Sequence, residues 1–321
     1  MTAMERQTEG GVRRLSPEMD SIIAPGAEVE VLAEGFDWAE GPVWVESGGY
    51  LLFTDVPQNV IWRWSEADGL SEFMRPSGFD GEDASHLREP GANGLVIEPS
   101  GALLMCDHGN RSLSRVDLAT RRKTIVVDRF ERKRLNSPND LVIHRSGAIY
   151  FTDPPYGLEG LNESPVKELA HNGVYRLAPD GKVTLIDDAL SFPNGVALSP
   201  DHRTLYVAVS DPQAPILMAY ALGDDGRATS SRLVFDAASM MGPDAPGVPD
   251  GLKVDARGRI FTTGPGGVLV LTPDGELLGV IDTGRATANC AFGPGGYIYI
   301  TSRDRVVRGK LNPAFLQRIA A

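Results

Sequence analysis

A chain of 321 residues, 42% of them hydrophobic, can bury a large core as one or two domains. Its formal net charge of −12 argues against a nucleic-acid partner, and no apolar run is long enough to form a membrane-spanning helix. Cys106 and Cys290 lie far apart, match no metal-ligand or redox spacing, and read as buried free thiols.

In chain order, residues 1–15 are polar and without period, so no regular structure is expected there. They carry Arg6, Arg13 and Arg14 but no apolar signal core, which makes the cytoplasm the default location. Ser16-Pro17-Glu18 supplies an N-cap, a proline suited to the first helical position and a first-turn acid. A short helix through Ile23 should follow and stop at Pro25-Gly26, and a second short helix is expected over Pro313 to Ile319. Between them lie short β-type runs separated by Gly, Pro, Asp and Asn turns.

The β region repeats. Glu40-Gly41-Pro42-Val43-Trp44 precedes Tyr50 to Asp55, Asn93-Gly94-Leu95-Val96 precedes Ala102 to Asp107, and Asn139-Asp140-Leu141-Val142 precedes Ala148 to Asp153. Phe192-Pro193-Asn194-Gly195-Val196 precedes Thr204 to Val207, Asp250-Gly251-Leu252 precedes Arg259 to Thr262, and Ala288-Asn289-Cys290 precedes Tyr297 to Thr301. Each pair is a hairpin, and each of the first five hairpins is followed by two further strand-like runs. The sixth has only Val306-Val307, and residues 28–33 supply a matching run. The expected fold is all-β: a six-bladed β-propeller closed by that N-terminal strand, with short N- and C-terminal helices. The expected limits are an arm over 1–27, the propeller over 28–311 and a tail over 312–321.

The first strand of each propeller blade lines the central channel, so the residues that open those strands converge on the axis. They are Glu40, Asn93, Asn139, Asn194, Asp250 and Ala288. An ordinary turn explains any single Asn-Gly or Asp-Gly pair. Five amides and carboxylates at equivalent positions point instead to a hard divalent cation such as Ca²⁺ or Mg²⁺, because buried oxygens in one funnel need a positive partner. Ala288 offers no ligand and should leave that side open to substrate.

On these motifs, with Pro249-Asp250-Gly251-Leu252 and Thr287-Ala288-Asn289-Cys290-Ala291-Phe292-Gly293, the chain resembles the gluconolactonase/senescence-marker-protein-30/luciferin-regenerating-enzyme family. Asp107-His108-Gly109-Asn110-Arg111 and Thr152-Asp153-Pro154-Pro155-Tyr156-Gly157 look most like its bacterial gluconolactonase branch. The resemblance implies a metal-dependent propeller hydrolase, with one metal ion held by Glu40, Asn194 and Asp250. Asn139 would serve as a further ligand or substrate contact. Members of the family hold Ca²⁺, Zn²⁺, Mg²⁺, Mn²⁺ or Fe²⁺, so the identity does not transfer, and the oxygen-only donors put Ca²⁺ first. Animal members carry a substrate-contacting arginine where this chain has Ser137.

The expected partner is then a small-molecule sugar lactone, neither nucleic acid nor membrane, and nothing in the sequence sets an oligomeric state. The cation would polarise the ester carbonyl, and Asp250 as general base, or metal-bound hydroxide, would activate water. Asn93, His108 and Tyr156 are the candidate substrate contacts, and the connection Ser77 to Gly91 is a candidate lid. His144, His171 and His202 receive no role. The alternatives are an organophosphate or aryl-ester hydrolase of the same propeller type, and a non-catalytic propeller with a structural cation.

Overall fold

The hairpins are set by their turns. In the computed structural model, which describes residues 7–8 and 10–312, Gly147 takes a left-handed backbone (φ 83°) and its N–H donates to the His144 carbonyl at 2.8 Å. His202 fills the same place in the fourth repeat at φ 58°, its N–H on the Ser199 carbonyl at 2.8 Å. Between such turns the strands build six antiparallel blades.

Blade 1 comprises Ala39–Val45, Tyr50–Asp55, Val60–Ser65 and Gly69–Met74, and blade 2 comprises Ala92–Ile97, Leu103–Asp107, Ser112–Val116 and Lys123–Val127. Blade 3 is Leu141–Ile143, Ile149–Asp153, Gly173–Leu177 and Val183–Asp187, and blade 4 is Pro193–Leu198, Thr204–Asp211, Ala214–Leu222 and Ala228–Asp236. Blade 5 contains Leu252–Val254, Ile260–Gly264, Gly267–Leu271 and Leu277–Asp282, and blade 6 contains Asn289–Gly293, Tyr297–Ser302 and Arg305–Lys310. Each inner strand touches the inner strand of the next blade, and the sixth touches the first, so the ring is complete.

Side chains alternate across each strand, so both faces of a blade are buried. In blade 1, Leu52 packs toward blade 2 with Leu95 and Met105, whereas Leu51 and Phe53 pack toward blade 6 with Tyr299 and Val306. The core is therefore six wedges between blades. Fully burying a side chain of this size is worth about 1.5–3 kcal/mol. Cys106 and Cys290 are buried free thiols inside two of the wedges.

The expected closure and helices need correction. Val29–Glu34 pairs with Arg305–Lys310 and becomes the outer strand of blade 6, but no sheet is closed on itself by hydrogen bonds. The physical reason is directional: ladder bonds satisfy an edge within one blade, and blade-to-blade contact is face to face. The seam between blades 6 and 1 is sealed by side chains, with Trp44 stacked on Tyr299 at 5.3 Å. The N-terminal helix is one turn, Met19–Ile22, without a side-chain cap, held by burial of Met19, Ile22 and Ile23 between blades 5 and 6. The C-terminal helix expected over 313–319 lies outside the described residues.

The expectation that residues 1–15 lack structure also fails in part. Gly11–Arg14 adds a fifth strand to blade 5 by pairing with Leu277–Asp282. Its order comes from that open edge and not from any local period. Arg14 then anchors it through bonds to the carbonyls of Ile23 and Ala24, both at 2.8 Å.

Candidate functional site

The inner strands of blades 1, 2 and 4 begin with a bulge, over Gly41-Pro42, Asn93-Gly94 and Asn194-Gly195 respectively. The bulge takes Asn93 and Asn194 off the ladder, whereas Glu40 keeps its ladder partner Thr54 immediately before it. The next residue is glycine because the neighbouring blade arrives there: a Cβ on Gly195 would meet the Asp250 carbonyl oxygen at 2.1 Å. On Gly41 it would meet the Asn93 carbonyl oxygen at 2.0 Å. The Asn-Gly pairs are thus blade junctions rather than turns. Threonines on the second strands stitch the same junctions, Thr54 donating to the Asn93 carbonyl at 3.2 Å and Thr263 to the Ala288 carbonyl at 3.1 Å. Thr152 donates likewise to the Asn194 carbonyl.

Glu40, Asn93, Asn139, Asn194 and Asp250 are all buried at this level. Glu40 accepts the Gly41 N–H at 2.8 Å, and burial, with the nearby Asp140 charge, pushes its carboxyl up to about 8. Burial also holds Asp250 well above the carboxylate range, reinforced by the charges of Glu40, Asp140 and Glu89. Asp250 Oδ1 and Asn93 Oδ1 are buried without any hydrogen-bond partner. Asn194 Nδ2 donates to Ser210 Oγ at 2.8 Å, and the Ser210 hydroxyl in turn donates to the Pro249 carbonyl at 2.5 Å. Ala288 is fully buried, and its neighbour Asn289 carries the polar contacts on that side.

Four further residues belong here that the repeat comparison passed over. Asn289 Nδ2 reaches Glu40 Oε2 at 3.4 Å and Asp140 Oδ2 at 3.5 Å, and Lys253 Nζ donates to Asn289 Oδ1 at 3.2 Å. Lys253 is the cation that offsets the rise in Asp140's affinity for its proton, a rise that burial drives. The signal was present: Asp140 and Asn289 stand where the other repeats carry glycine. Glu89, the fourth, lies in a connection outside the repeat, where no comparison could single it out.

His108 is fully buried, its Nε2 3.4 Å from Asn93 Nδ2 and its Nδ1 3.4 Å from Glu89 Oε2, within ion-pair reach but without hydrogen-bond geometry. Tyr156 stacks on Phe192 with ring centroids 5.7 Å apart, and burial followed by the Asp250 charge raises its phenol. Ser137 is fully buried, donating to the Pro154 carbonyl at 2.6 Å and accepting from Gly157 N–H at 2.9 Å, so it shapes the turn that carries Tyr156. A cavity of about 990 Å³ lies elsewhere, by the hairpin turns of blades 2 to 4, where Glu98 and Arg115 pair with each other.

Two mutually repelling buried carboxylates, an unpartnered Asp250 oxygen and an unpartnered amide oxygen suit a cation. Among the described residues no group of three His, Cys, Asp or Glu side chains forms a metal site, so any such site must take its other donors from the amides. The donor set is oxygen only, which fits a hard divalent ion.

The sequence profile of the SMP-30/Gluconolactonase/LRE-like region matches residues 38–304. The chain is 43% identical over 310 residues to a gluconolactonase of Zymomonas mobilis, covering 95% of this chain and 87% of that protein. It is 26% identical over 268 residues to the pentonolactonase XacC of Haloferax volcanii, covering 82% and 80%. The solved structure of a gluconolactonase from Xanthomonas campestris superposes with a TM-score of 0.82 at 31% identity, covering 97% of this chain and 99% of that one.

Proposed function

The chain belongs to the SMP-30/gluconolactonase/LRE-like family, and from that membership we propose that it hydrolyses a sugar lactone to the open aldonic acid, with a divalent cation at the funnel. The observation that carries the reading is the convergence of Glu40 and Asp250 with buried amides while Asp250 Oδ1 has no partner. Glu40, Asn194 and Asp250 would hold the ion, with Asn139 beside them, and the oxygen donors favour Ca²⁺. When bound, the cation supplies Lewis-acid polarisation of the ester carbonyl and charge stabilisation for the tetrahedral oxyanion, worth several kcal/mol.

The chain's own residues do the rest. Asp250 takes the proton of the attacking water at Oδ1, the oxygen with no other bond to break. Ser210 orients Asn194, and Asn289 steadies the Glu40 carboxylate. The stacked Tyr156 and Phe192 rings form an apolar wall against which a sugar ring can lie.

Proton release from glucono-1,5-lactone, followed with and without chelator, tests the reading. The expected outcome is turnover above the spontaneous rate that chelator abolishes and added Ca²⁺ restores. A rate equal to spontaneous hydrolysis with every divalent ion tried would refute it. Asp250→Asn is expected to lower kcat by about 10²–10⁴-fold.

A further inference from the structure

The connection between blades 1 and 2 is pinned down rather than free. Phe79 N–H donates to the Pro90 carbonyl at 2.8 Å, and Asn59 Nδ2 to the Phe79 carbonyl at 2.8 Å. Farther along, Leu87 bridges Leu158, Arg88 N–H donates to the Gly157 carbonyl at 3.0 Å, and Glu159 N–H to the His86 carbonyl at 3.0 Å. Two connections, one before blade 2 and one within blade 3, are thereby clasped together. Glu89 rides on one half of the clasp and Tyr156 on the other.

The Glu89 side chain is mostly buried, with Oε1 3.3 Å from Arg88 Nη1 and Oε2 3.4 Å from His108 Nδ1. Through His108 it is linked to the spoke Asn93, and its charge is felt by both Asp250 and Tyr156. A carboxylate has about four acceptor sites. Here one oxygen has only a long contact to the Arg88 guanidinium and the other only a long contact to the His108 ring, so neither is filled by a short bond.

We propose that Glu89 is a specificity-determining residue whose carboxylate accepts hydrogen bonds from a pair of adjacent hydroxyls on the substrate. This rests on the sugar-lactone reading and adds the means by which a polyhydroxylated ring is told from a plain one. The Arg88 guanidinium pairs with the carboxylate and the buried His108 ring lies 3.4 Å from it, and two neighbouring hydroxyls can donate to its two oxygens at once. A lactone without hydroxyls leaves that buried acceptor unpaired, which is how such a site rejects it.

The test compares Glu89→Gln and wild type on glucono-1,5-lactone and on δ-valerolactone, which has the ester and no hydroxyls. D-glucitol binding by titration calorimetry is measured alongside. Glu89→Gln should lose about 10–100-fold in kcat/KM on the hydroxylated lactone, mostly through KM, and lose about tenfold less on δ-valerolactone, where only its charge on Asp250 is at stake. D-glucitol should bind the variant more weakly. Equal losses on both lactones, or no loss on either, overturn the proposal. If wild type opens neither lactone, the lactonase reading falls while glucitol still decides Glu89: weaker binding by the variant supports it, and unchanged or absent binding overturns it.

Discussion

Ser210 fixes an amide that would otherwise be free to turn over. Its one proton goes to the Pro249 carbonyl, so toward Asn194 it can only accept, and Asn194 must present Nδ2 to it. Asn194 Oδ1 is then left for the funnel. Ser210→Ala removes that constraint, and the expected result is about tenfold weaker divalent-ion binding by titration calorimetry. Unchanged affinity with the fold intact would show that Asn194 is oriented by something else. At this scale the sequence was partly legible. Glu40, Asn93, Asn139, Asn194 and Asp250 could be read from the repeat because each opens an inner strand. Asp140 and Asn289 were masked because each reads as an ordinary polar variant of the glycine beside a spoke. Glu89 was illegible because its place depends on a clasp between segments far apart in the chain.

The second strands of blades 1, 2 and 3 end in Asp55, Asp107 and Asp153, acids that repeat in those blades yet serve the loops. Asp55 accepts the N–H groups of Asp37 and Trp38, each at 3.2 Å, and Asp107 accepts Asn110 N–H at 2.9 Å. Asp153 accepts Asn136 N–H at 2.8 Å. Burial pushes the Asp153 carboxyl from an ordinary 3.8 up to about 7, against the opposing pull of that N–H and of Arg111. The folded protein therefore holds this proton more tightly than the unfolded chain does. Below about pH 4 both states are protonated and there is no penalty; as pH rises from about 4 to 7 only the unfolded state ionises, and stability falls. Above about 7 the penalty is complete, up to about 4 kcal/mol. Asp153→Asn should flatten this part of the stability curve, measured by urea unfolding at several pH values between 4 and 8. An unchanged slope would mean that Asp153 does not carry it. A strand-end acid looks the same in sequence whether it titrates at 4 or at 7; only the depth of burial separates the two.

The whole ring depends on the seam between blades 6 and 1, and Arg308 spans it. Its Nε meets Glu30 of the added outer strand at 2.9 Å, its Nη1 meets Glu66 of blade 1 at 2.7 Å, and its guanidinium lies 4.0 Å over the Tyr297 ring. Arg308→Ala should cost about 1–3 kcal/mol in unfolding free energy, whereas an equivalent loss at an exposed pair such as Arg227 and Asp225 should be near zero. Equal effects at the two places would deny the seam its special weight. The six repeats made the propeller readable because each unit carries its own turns and apolar alternation. How the circle is sealed was not readable, since a strand that completes a ladder and a face that packs on its neighbour use the same apolar residues.

The pairing of Val29–Glu34 with Arg305–Lys310 also has a consequence in time. The two segments stand nearly a whole chain apart, and a contact between such distant segments is among the slowest kinds to make. The funnel waits with it, because Glu40 stands in the first blade and Asp250 in the fifth. A partly folded chain would have blades but no shared mouth, so the proposed capacity to hold a cation should arrive late and all at once.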